Sequence, residues 1–204
     1  MNRVIFKLKH RTIYKVAAFF STAWTKLIFK LNGDHIGKNF KTNGVIRVAG
    51  WDGKISIGDN VLVNSAWWAT SVGRRNKTSI RVMGGSLEIG SNVGITNAAF
   101  CVQDRIVIGD DVLIGVGTCI YDTDFHSIVP GKRLTDRGEA KPILIDKGAF
   151  VGAGCTILKG TEIGKYAVIG AGSVVAGKKI GDYEIWAGNP AKFIKKIDCQ
   201  EQEN

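Results

Sequence analysis

The residues best suited to chemistry lie in residues 121–127, which read Tyr-Asp-Thr-Asp-Phe-His-Ser. This segment places an imidazole, His126, close to two carboxylates, Asp122 and Asp124. An unperturbed imidazole changes its protonation near pH 6.5, so it can take a proton from an attacking hydroxyl at neutral pH. More charged residues follow, among them Lys132, Arg133 and Glu139. A histidine beside two carboxylates and followed by further charged residues makes this segment the first candidate for a site.

This candidate site is followed by a six-residue repeat. Between residues 145 and 175 an aliphatic side chain recurs at every sixth position, at Ile145, Val151, Ile157, Ile163, Ile169 and Val175. A small side chain stands four residues beyond each of the first five, at Ala149, Cys155, Thr161, Ala167 and Ser173. Six is an even number, so on an extended chain every aliphatic falls on the same face, whereas the helical period of 3.6 would scatter them. The repeat predicts a β-helix solenoid of short strands and glycine-bearing corners.

The same phase extends towards the N-terminus with interruptions. It is weak at Ile36, and it becomes clearer near Ile57 and Val63, with Val61 and Trp67 in the inner slots. Residues 69–86 leave the phase, which predicts a protruding turn whose cations form a solvated surface; these cations are Arg74, Arg75, Lys77 and Arg81. The phase then runs through Ile89, Ile95, Cys101, Ile108, Ile114 and Ile120. One residue slips between Cys101 and Ile108, which implies a bulge or a longer corner.

The interval between Ile120 and Ile145 breaks the repeat. It is 25 residues long, four hexads and one residue, and its interior does not follow the pattern. Asp124 would occupy a small inward slot, where an unpaired charge is costly. The segment is therefore predicted to leave the wall as a loop over residues 121–142. A loop rich in charge on a rigid scaffold is where a site would be built.

Composition favours a single reduced domain. The chain has 204 residues, of which 45% are hydrophobic, with 26 glycines and three prolines, which is enough for one well-buried domain. Its four cysteines are far apart and form no CxxC pair, which predicts reduced core residues of a cytoplasmic protein. The net charge is +10, but residues 1–47 alone contribute +9. The basicity therefore belongs to the N-terminal arm.

The arm is predicted to form an amphipathic helix over residues 13–31, because its apolar residues follow spacings of three and four and Asn32-Gly33 gives a stop signal. The apolar residues are Ile13, Val16, Ala17, Phe20, Trp24, Leu27, Ile28 and Leu31. The cations off that face or preceding it are Arg3, Lys7, Lys9, Arg11, Lys15, Lys26 and Lys30. Two interpretations stay open: a helix packed on the solenoid or on a neighbouring subunit, and an interfacial helix on an anionic leaflet. The apolar stretch over residues 16–25 is too short for a membrane span and shows no signal-peptide cleavage site.

Three segments resemble the hexapeptide-repeat acyltransferases, specifically the galactoside/maltose O-acetyltransferase and polysaccharide-biosynthesis O-acetyltransferase branch. They are residues 122–126, the array over residues 145–175, and residues 187–192, which read Ala-Gly-Asn-Pro-Ala-Lys. The resemblance implies an all-β solenoid, a left-handed parallel β-helix of triangular section. It also implies a homotrimer with active sites between subunits and acetyl-CoA as donor to a sugar hydroxyl, in surface polysaccharide or glycan biosynthesis.

On this resemblance His126 matches the catalytic histidine, acting as a general base in direct transfer within a ternary complex. Its second ring nitrogen needs an acceptor to fix the tautomer. Asp124 is favoured, with Asp122, Glu139 or a backbone carbonyl as alternatives. The predicted substrate-binding residues are Asn97, which matches an asparagine that holds the acceptor sugar in the galactoside branch, and Asp122, Arg133 and Glu139.

The family binds coenzyme A along backbone groups in a cleft between neighbouring solenoids. The contacts that this implies are Ala153, Ala171, Ala176, Gly177, Lys178, Lys192 and Lys195. The galactoside branch has Thr-Lys where this chain has Ala176-Gly177, so Lys178 is expected to replace that lysine. Lys192 and Lys195 match tail positions that meet the nucleotide phosphates as point charges. No metal is expected.

Other functions on the same scaffold stay open. An N-acetyltransferase on an amino sugar, and a serine or antibiotic acetyltransferase, need the same single base. A non-catalytic β-helix assembly protein is a more remote alternative. A zinc-dependent carbonic anhydrase is disfavoured because it needs three histidine ligands per metal, and His10 and His35 lie in or next to the arm.

The chain is accordingly divided into a basic helical arm (1–33), a solenoid (34–185) with a protruding loop (121–142), and a closing segment with a tail (186–204). A cytoplasmic location is expected, free or peripheral on the inner face of the membrane. If the helix lies on the leaflet, the expected acceptor is a lipid-linked sugar. If the helix packs on the trimer, a soluble sugar is expected as readily as a lipid-linked one. No nucleic-acid partner is expected.

Overall fold

The computed structural model describes residues 3–70, 72 and 76–198, with side chains from residue 12 onwards in those ranges except that of residue 51. Several sequence predictions concern side chains that lie outside the described residues, namely those of Arg3, Lys7, Lys9, His10, Arg11, Arg74, Arg75 and Cys199.

A long helix, α1 (Arg3–Leu31), precedes a solenoid whose short strands form three sheets. Sheet A contains β1 (His35–Ile36), β4 (Lys54–Ile57), β7 (Ser86–Ile89), β10 (Arg105–Ile108), β13 (Ile143–Ile145), β16 (Glu162–Ile163) and β19 (Lys179–Ile180). Sheet B contains β2 (Lys41–Asn43), β5 (Leu62–Asn64), β8 (Gly94–Thr96), β11 (Leu113–Ile114), β14 (Phe150–Val151), β17 (Val168–Ile169), β20 (Glu184–Gly188) and β21 (Ala191–Lys196). Sheet C contains β3 (Arg47–Trp51), β6 (Ser79–Val82), β9 (Ala99–Val102), β12 (Cys119–Tyr121), β15 (Thr156–Leu158) and β18 (Val174–Ala176). Two short 3₁₀ helices cover Trp67–Ala69 and Pro130–Lys132.

The chain visits sheets A, B and C in turn, and the fold is the predicted left-handed parallel β-helix. Three edges separate the sheets: the AB edge (residues 109–112 and their equivalents), the BC edge (115–118 and equivalents) and the CA edge (122–142 and equivalents). The loop over residues 122–142 leaves at the CA edge. Strand β12 before it pairs with β9 and β15, and β13 after it pairs with β10 and β16. The register of the wall therefore continues across the loop.

The inward columns confirm the repeat. All six aliphatic positions and all five small positions between residues 145 and 175 are at most 1% exposed. The earlier positions Val61, Cys101 and Ile108 are also buried. The predicted inward position of Trp67 is wrong, because this residue lies in a 3₁₀ helix and is 63% exposed. The chain leaves the repeat before residue 69 and returns at Ser79, while the neighbouring Trp68 stacks on Tyr14 of α1 at 4.9 Å.

Helix α1 closes the first coil, and it docks through a face that carries hydroxyl groups and Phe29. Ser21 and Thr25 are buried, and Phe29 is completely covered. The hydroxyl of Ser21 donates to the carbonyl of Thr42 at 2.9 Å, and the hydroxyl oxygen of Thr22 accepts the Thr42 N–H at 2.9 Å. An open edge strand has backbone groups that need partners. The hydroxyl face of the helix supplies them, so the apolar face points away from the solenoid.

The other end of sheet B is closed by β21, which pairs antiparallel with β20. The sequence boundary placed after residue 185 falls inside β20, since that strand still pairs with β17. The two strands are joined through a cis Asn189–Pro190 peptide bond. Within the described part of the chain, no helix is long and apolar enough to cross a membrane.

Candidate functional site

The loop over residues 122–142 is a two-armed antiparallel projection. Isolated bridges join Thr123 to Ala140 and His126 to Arg137. The Asp124 N–H donates to the carbonyl of Glu139 at 3.0 Å. These main-chain bonds fix the direction in which the first arm presents its side chains.

His126 stands exposed on the first arm. The preceding residue, Phe125, has a φ of +64°, a conformation that non-glycine residues adopt with difficulty, and its ring packs edge-on against Tyr121 at 5.4 Å. The Nδ1 atom of His126 lies 3.0 Å from the carbonyl oxygen of Arg133. A carbonyl can only accept, so Nδ1 carries the proton and the lone pair belongs to Nε2. The imidazole is thus held as a base with its free nitrogen away from the loop backbone.

Asp124 does not orient His126, which corrects the favoured assignment. Its carboxylate lies 2.5 Å from Nζ of Lys159, and the same ammonium lies 2.6 Å from Glu139. Glu139 also pairs with Lys141 at 3.0 Å. Hydrogen bonds from Lys159 and then Lys141 lower the pKa of Glu139, and hydrogen bonds from both carboxylates raise the pKa of Lys159. The acceptor that holds the His126 ring is instead the backbone carbonyl of Arg133, and a backbone carbonyl was one of the predicted alternatives.

The sequence interpretation missed Lys159, although the register contained a signal for it. Tyr121 pairs with Leu158, so the residue after Leu158 stacks beside the start of the loop. From that position Lys159 reaches both arms, at Asp124 and Glu139. It therefore fastens the projecting loop to the solenoid wall.

Asp122 lies at the base of the loop and is completely buried. Its two carboxylate oxygens accept the backbone N–H groups of Gln103 and Asp104 at 2.8 and 2.9 Å. Burial raises the pKa of this carboxyl, while the two backbone donors oppose the rise. The predicted substrate contact is replaced in this chain by a structural one. The donors occupy the longer corner where the repeat slips between Cys101 and Ile108.

Gly138 brings the second arm against the first. A methyl group at this buried residue would lie 2.8 Å from Cβ of Asp124, from the carbonyl oxygen of His126 and from the nitrogen of Phe125. The Gly138 carbonyl accepts the side-chain amide of Gln103 at 3.3 Å. The two arms can approach this closely only because residue 138 lacks a side chain.

Asn97 lies on the BC edge, not on the loop. It is 3% exposed, its side-chain amide donates to the carbonyl of Asn76, and its Oδ1 is buried without a hydrogen-bond partner among the described residues. It lines a cavity of about 340 Å³ together with Arg47, Lys77 and Cys119. A buried acceptor atom without a partner is costly unless a ligand or water supplies a donor.

The predicted coenzyme contacts divide between two edges. Ala153 and Ala171 are exposed and adjacent on the BC edge, where the Gly172 N–H donates to the Ala153 carbonyl at 2.8 Å. Lys192 is near them, since it pairs with Ala187 at the end of β20. Lys195, opposite Ile185, lies farther along sheet B. The remaining residues, Ala176, Gly177 and Lys178, are exposed at the CA edge, next to the root of the His126 loop.

The site residues therefore form two groups. His126, Arg133 and Glu139 share the CA edge, whereas Asn97 shares the BC edge with Ala153. The strands of sheet C separate these edges within one chain. No cluster of three or more histidine, cysteine, aspartate or glutamate side chains suited to a metal occurs among the residues that the structure describes. Cys101, Cys119 and Cys155 are free thiols, and burial raises the pKa of Cys101 and Cys155.

Comparison with known proteins gives a consistent result. The family described as bacterial transferase hexapeptide (six repeats) matches residues 142–177. A probable acetyltransferase of Mycobacterium tuberculosis is 34% identical over 84% of this chain and 55% of its own length. The galactoside O-acetyltransferase of Lactococcus lactis is 29% identical over 70% of this chain and 63% of its own length. The chain thus spans about 55 to 63% of these curated relatives.

A solved structure shares the fold. It is a mutant N-acyltransferase from Bacillus cereus in complex with dTDP-4-amino-4,6-dideoxyglucose and coenzyme A. It superposes with a TM-score of 0.66 at 20% sequence identity, covering 86% of this chain and 90% of its own.

Proposed function

We propose that this chain is a hexapeptide-repeat acetyltransferase and that it moves an acetyl group from acetyl-CoA to a sugar hydroxyl with His126 as general base. The observation that carries this proposal is the tautomer of His126, because the bond from Nδ1 to the Arg133 carbonyl leaves the Nε2 lone pair free. The sequence relatives named as acetyltransferases, one of them acting on galactosides, support the donor and the acceptor class.

The chemistry needs one base. Nε2 of His126 takes the proton from the acceptor hydroxyl as that oxygen attacks the thioester carbonyl. The sulfur leaves as the carbonyl reforms, and the imidazolium returns the proton to the thiolate. Positioned base catalysis of this kind contributes about 10²- to 10⁴-fold, and holding the two substrates together supplies more. No acetyl group is attached to the enzyme.

We also propose that the complete site forms between subunits of a homotrimer. His126 on the CA edge and Asn97, Ala153 and Ala171 on the BC edge belong to different edges of one chain, so a neighbouring chain would bring the two groups together. Exposed apolar side chains support association, because Leu62, Leu113 and Phe150 lie in one outward column of sheet B, with Gly94 between the first two. Light scattering of the purified protein tests the trimer.

Coenzyme A fits the BC edge in chemical terms. The small exposed residues there leave room for an extended chain, and the exposed Lys192 and Lys195 offer cations to phosphates. The unpartnered Oδ1 of Asn97 would accept a hydroxyl of the acceptor, with Arg47 and Lys77 beside it. The role in surface polysaccharide or glycan synthesis rests on this acceptor class.

The test is a mass-spectrometric screen of acceptor sugars with acetyl-CoA, followed by His126→Ala. We expect turnover to fall at least about a hundredfold, with the same oligomeric mass. His35→Ala is the matched control, because His35 is an exposed histidine of the first coil, and it should keep wild-type activity. Near-wild-type turnover in His126→Ala would refute the base assignment. Hydroxylamine cleaves acetyl esters and spares amides, so it decides between a hydroxyl and an amine acceptor.

A further inference from the structure

Helix α1 carries an apolar stripe that the described residues leave largely exposed. Its members are between 48% and 75% exposed and recur at intervals of three and four residues. They are Ile13, Val16, Phe20, Trp24, Leu27 and Leu31. Large apolar side chains that are aligned on one helix face and left exposed mark an interaction surface.

The stripe points away from the solenoid. Successive helical residues turn by about 100°, which places Trp24 about 100° and Val16 about 180° from the buried Thr25. The docked face is fixed by the Ser21 and Thr22 bonds to Thr42. The helix can therefore use the stripe without detaching from the first coil.

Cations occupy one flank of the stripe. On the same helical geometry Lys15, Lys26 and Lys30 lie within about 60° of one another. Two of them, Lys15 and Lys26, line a groove of about 630 Å³ between the helix and β2, together with Lys41 and the exposed Phe19. Residues 3–31 contain seven Lys or Arg and no Asp or Glu.

This charge pattern decides between two partners for the stripe, a second copy of α1 and a lipid surface. Pairing with α1 of a second copy would bring together two helices that carry only positive charge, without the opposite charges that stabilise paired helices. An anionic lipid surface offers the complementary charge, and aromatic and aliphatic side chains partition into its headgroup boundary. We propose that α1 lies in the plane of an anionic bilayer, with the stripe in the acyl boundary and the lysines at the lipid phosphates.

This docking is separate from the proposed catalysis and would hold the solenoid at the membrane surface. The helix does not cross the bilayer, in keeping with the hydropathy of the described helices. Trp24 and Phe20 lie on the stripe, as expected for residues at a membrane interface.

The test is sedimentation of the full-length protein with vesicles, without acetyl-CoA or acceptor, so that its result is independent of activity. One vesicle type contains equal parts of phosphatidylglycerol and phosphatidylcholine, and the other contains phosphatidylcholine alone. The stripe variant is Phe20→Ser with Trp24→Ser and Leu27→Ser. A matched control replaces three other exposed apolar residues by serine, namely Ile128, Leu134 and Ile194.

We expect the wild type to bind the anionic vesicles and not the neutral ones, with binding that weakens as salt is added. The stripe variant should bind at least about tenfold more weakly, and the control within about twofold of wild type. Replacing Lys15, Lys26 and Lys30 by glutamine should weaken binding about a hundredfold, on the scale of about fivefold for each cation at the surface.

Two outcomes with the stripe variant overturn the proposal, and so does a wild type that binds no vesicles. One is equal binding of wild type and stripe variant to anionic vesicles, with both retaining native circular dichroism. The other is a stripe variant whose oligomeric mass falls in solution while the wild type ignores vesicles, since the stripe would then be a subunit interface. A protein that acetylates sugars but fails to bind vesicles would leave the proposed catalysis intact and refute the docking.

Discussion

Replacing Gly138 by alanine should reduce catalysis without unfolding the solenoid. The added methyl would lie 2.8 Å from two backbone atoms of the first arm, the nitrogen of Phe125 and the carbonyl oxygen of His126. An ordinary contact begins near 3.4 Å, so the arms must separate by about 0.6 Å. The atoms that move belong to the segment that carries the imidazole.

The magnitude follows from that displacement. A misplacement of about 1 Å in a reacting group can cost about a hundredfold in rate. A shift of about 0.6 Å should therefore lower kcat about tenfold or more. Stability should change little, because the loop lies outside the register of the wall. The assay is thiol release from acetyl-CoA with the acceptor found in the screen, together with thermal unfolding.

Gly131→Ala is the matched control. Gly131 lies in the same loop, and a methyl there would meet nothing within 4 Å. This variant should keep wild-type kcat. If Gly138→Ala stays within about twofold of wild type, or if both variants lose activity equally, the close approach of the two arms does not position His126.

Three further predictions concern the surroundings of the loop. The lysine partners of Glu139 lower its pKa, so the ion pair stabilises the loop at pH values above the ordinary pKa of 4.5 and is lost as the pH falls through the lowered pKa. Hydrogen exchange should therefore show that the loop amides of the wild type lose protection in acid. In Lys159→Met the same amides should be weakly protected at every pH. Asp122→Asn should lower the free energy of unfolding by about 1–3 kcal/mol in urea, because the new amide hydrogens face a backbone donor; an unchanged midpoint would contradict the structural role. Asn97→Gly, which suits the local φ of +46°, should raise the acceptor KM about tenfold and leave the dissociation constant for acetyl-CoA unchanged by calorimetry.

The solenoid was predictable because its signal is local. Side-chain alternation along an extended chain makes a six-residue period visible without any tertiary information. The same regularity made the departure at Asp124 conspicuous. The exposure of His126 on a projecting loop is an outcome of that departure.

Contacts between distant segments were not predictable to the same extent. Asp124 and Lys159 are 35 residues apart, and the spacing of charges within the loop says nothing about a partner one coil away. The orientation of α1 was left open for a related reason. The amphipathic pattern shows that one face of the helix is apolar but does not show what that face contacts, and nothing in the pattern indicates that the first coil takes hydroxyl groups for its open edge at Thr42.

The antiparallel strand β21 has a consequence for how these solenoids behave when concentrated. Every coil adds strands in the same direction, so a bare final coil would offer sheet B as a template on which the first coil of another molecule could continue the stack. Strand β21 runs the opposite way along β20 and covers that edge. At the other end α1 occupies the backbone groups of β2. Strand β21 and helix α1 thus cap sheet B at the two ends of the solenoid, which favours side-by-side association into closed oligomers over end-to-end growth into fibres.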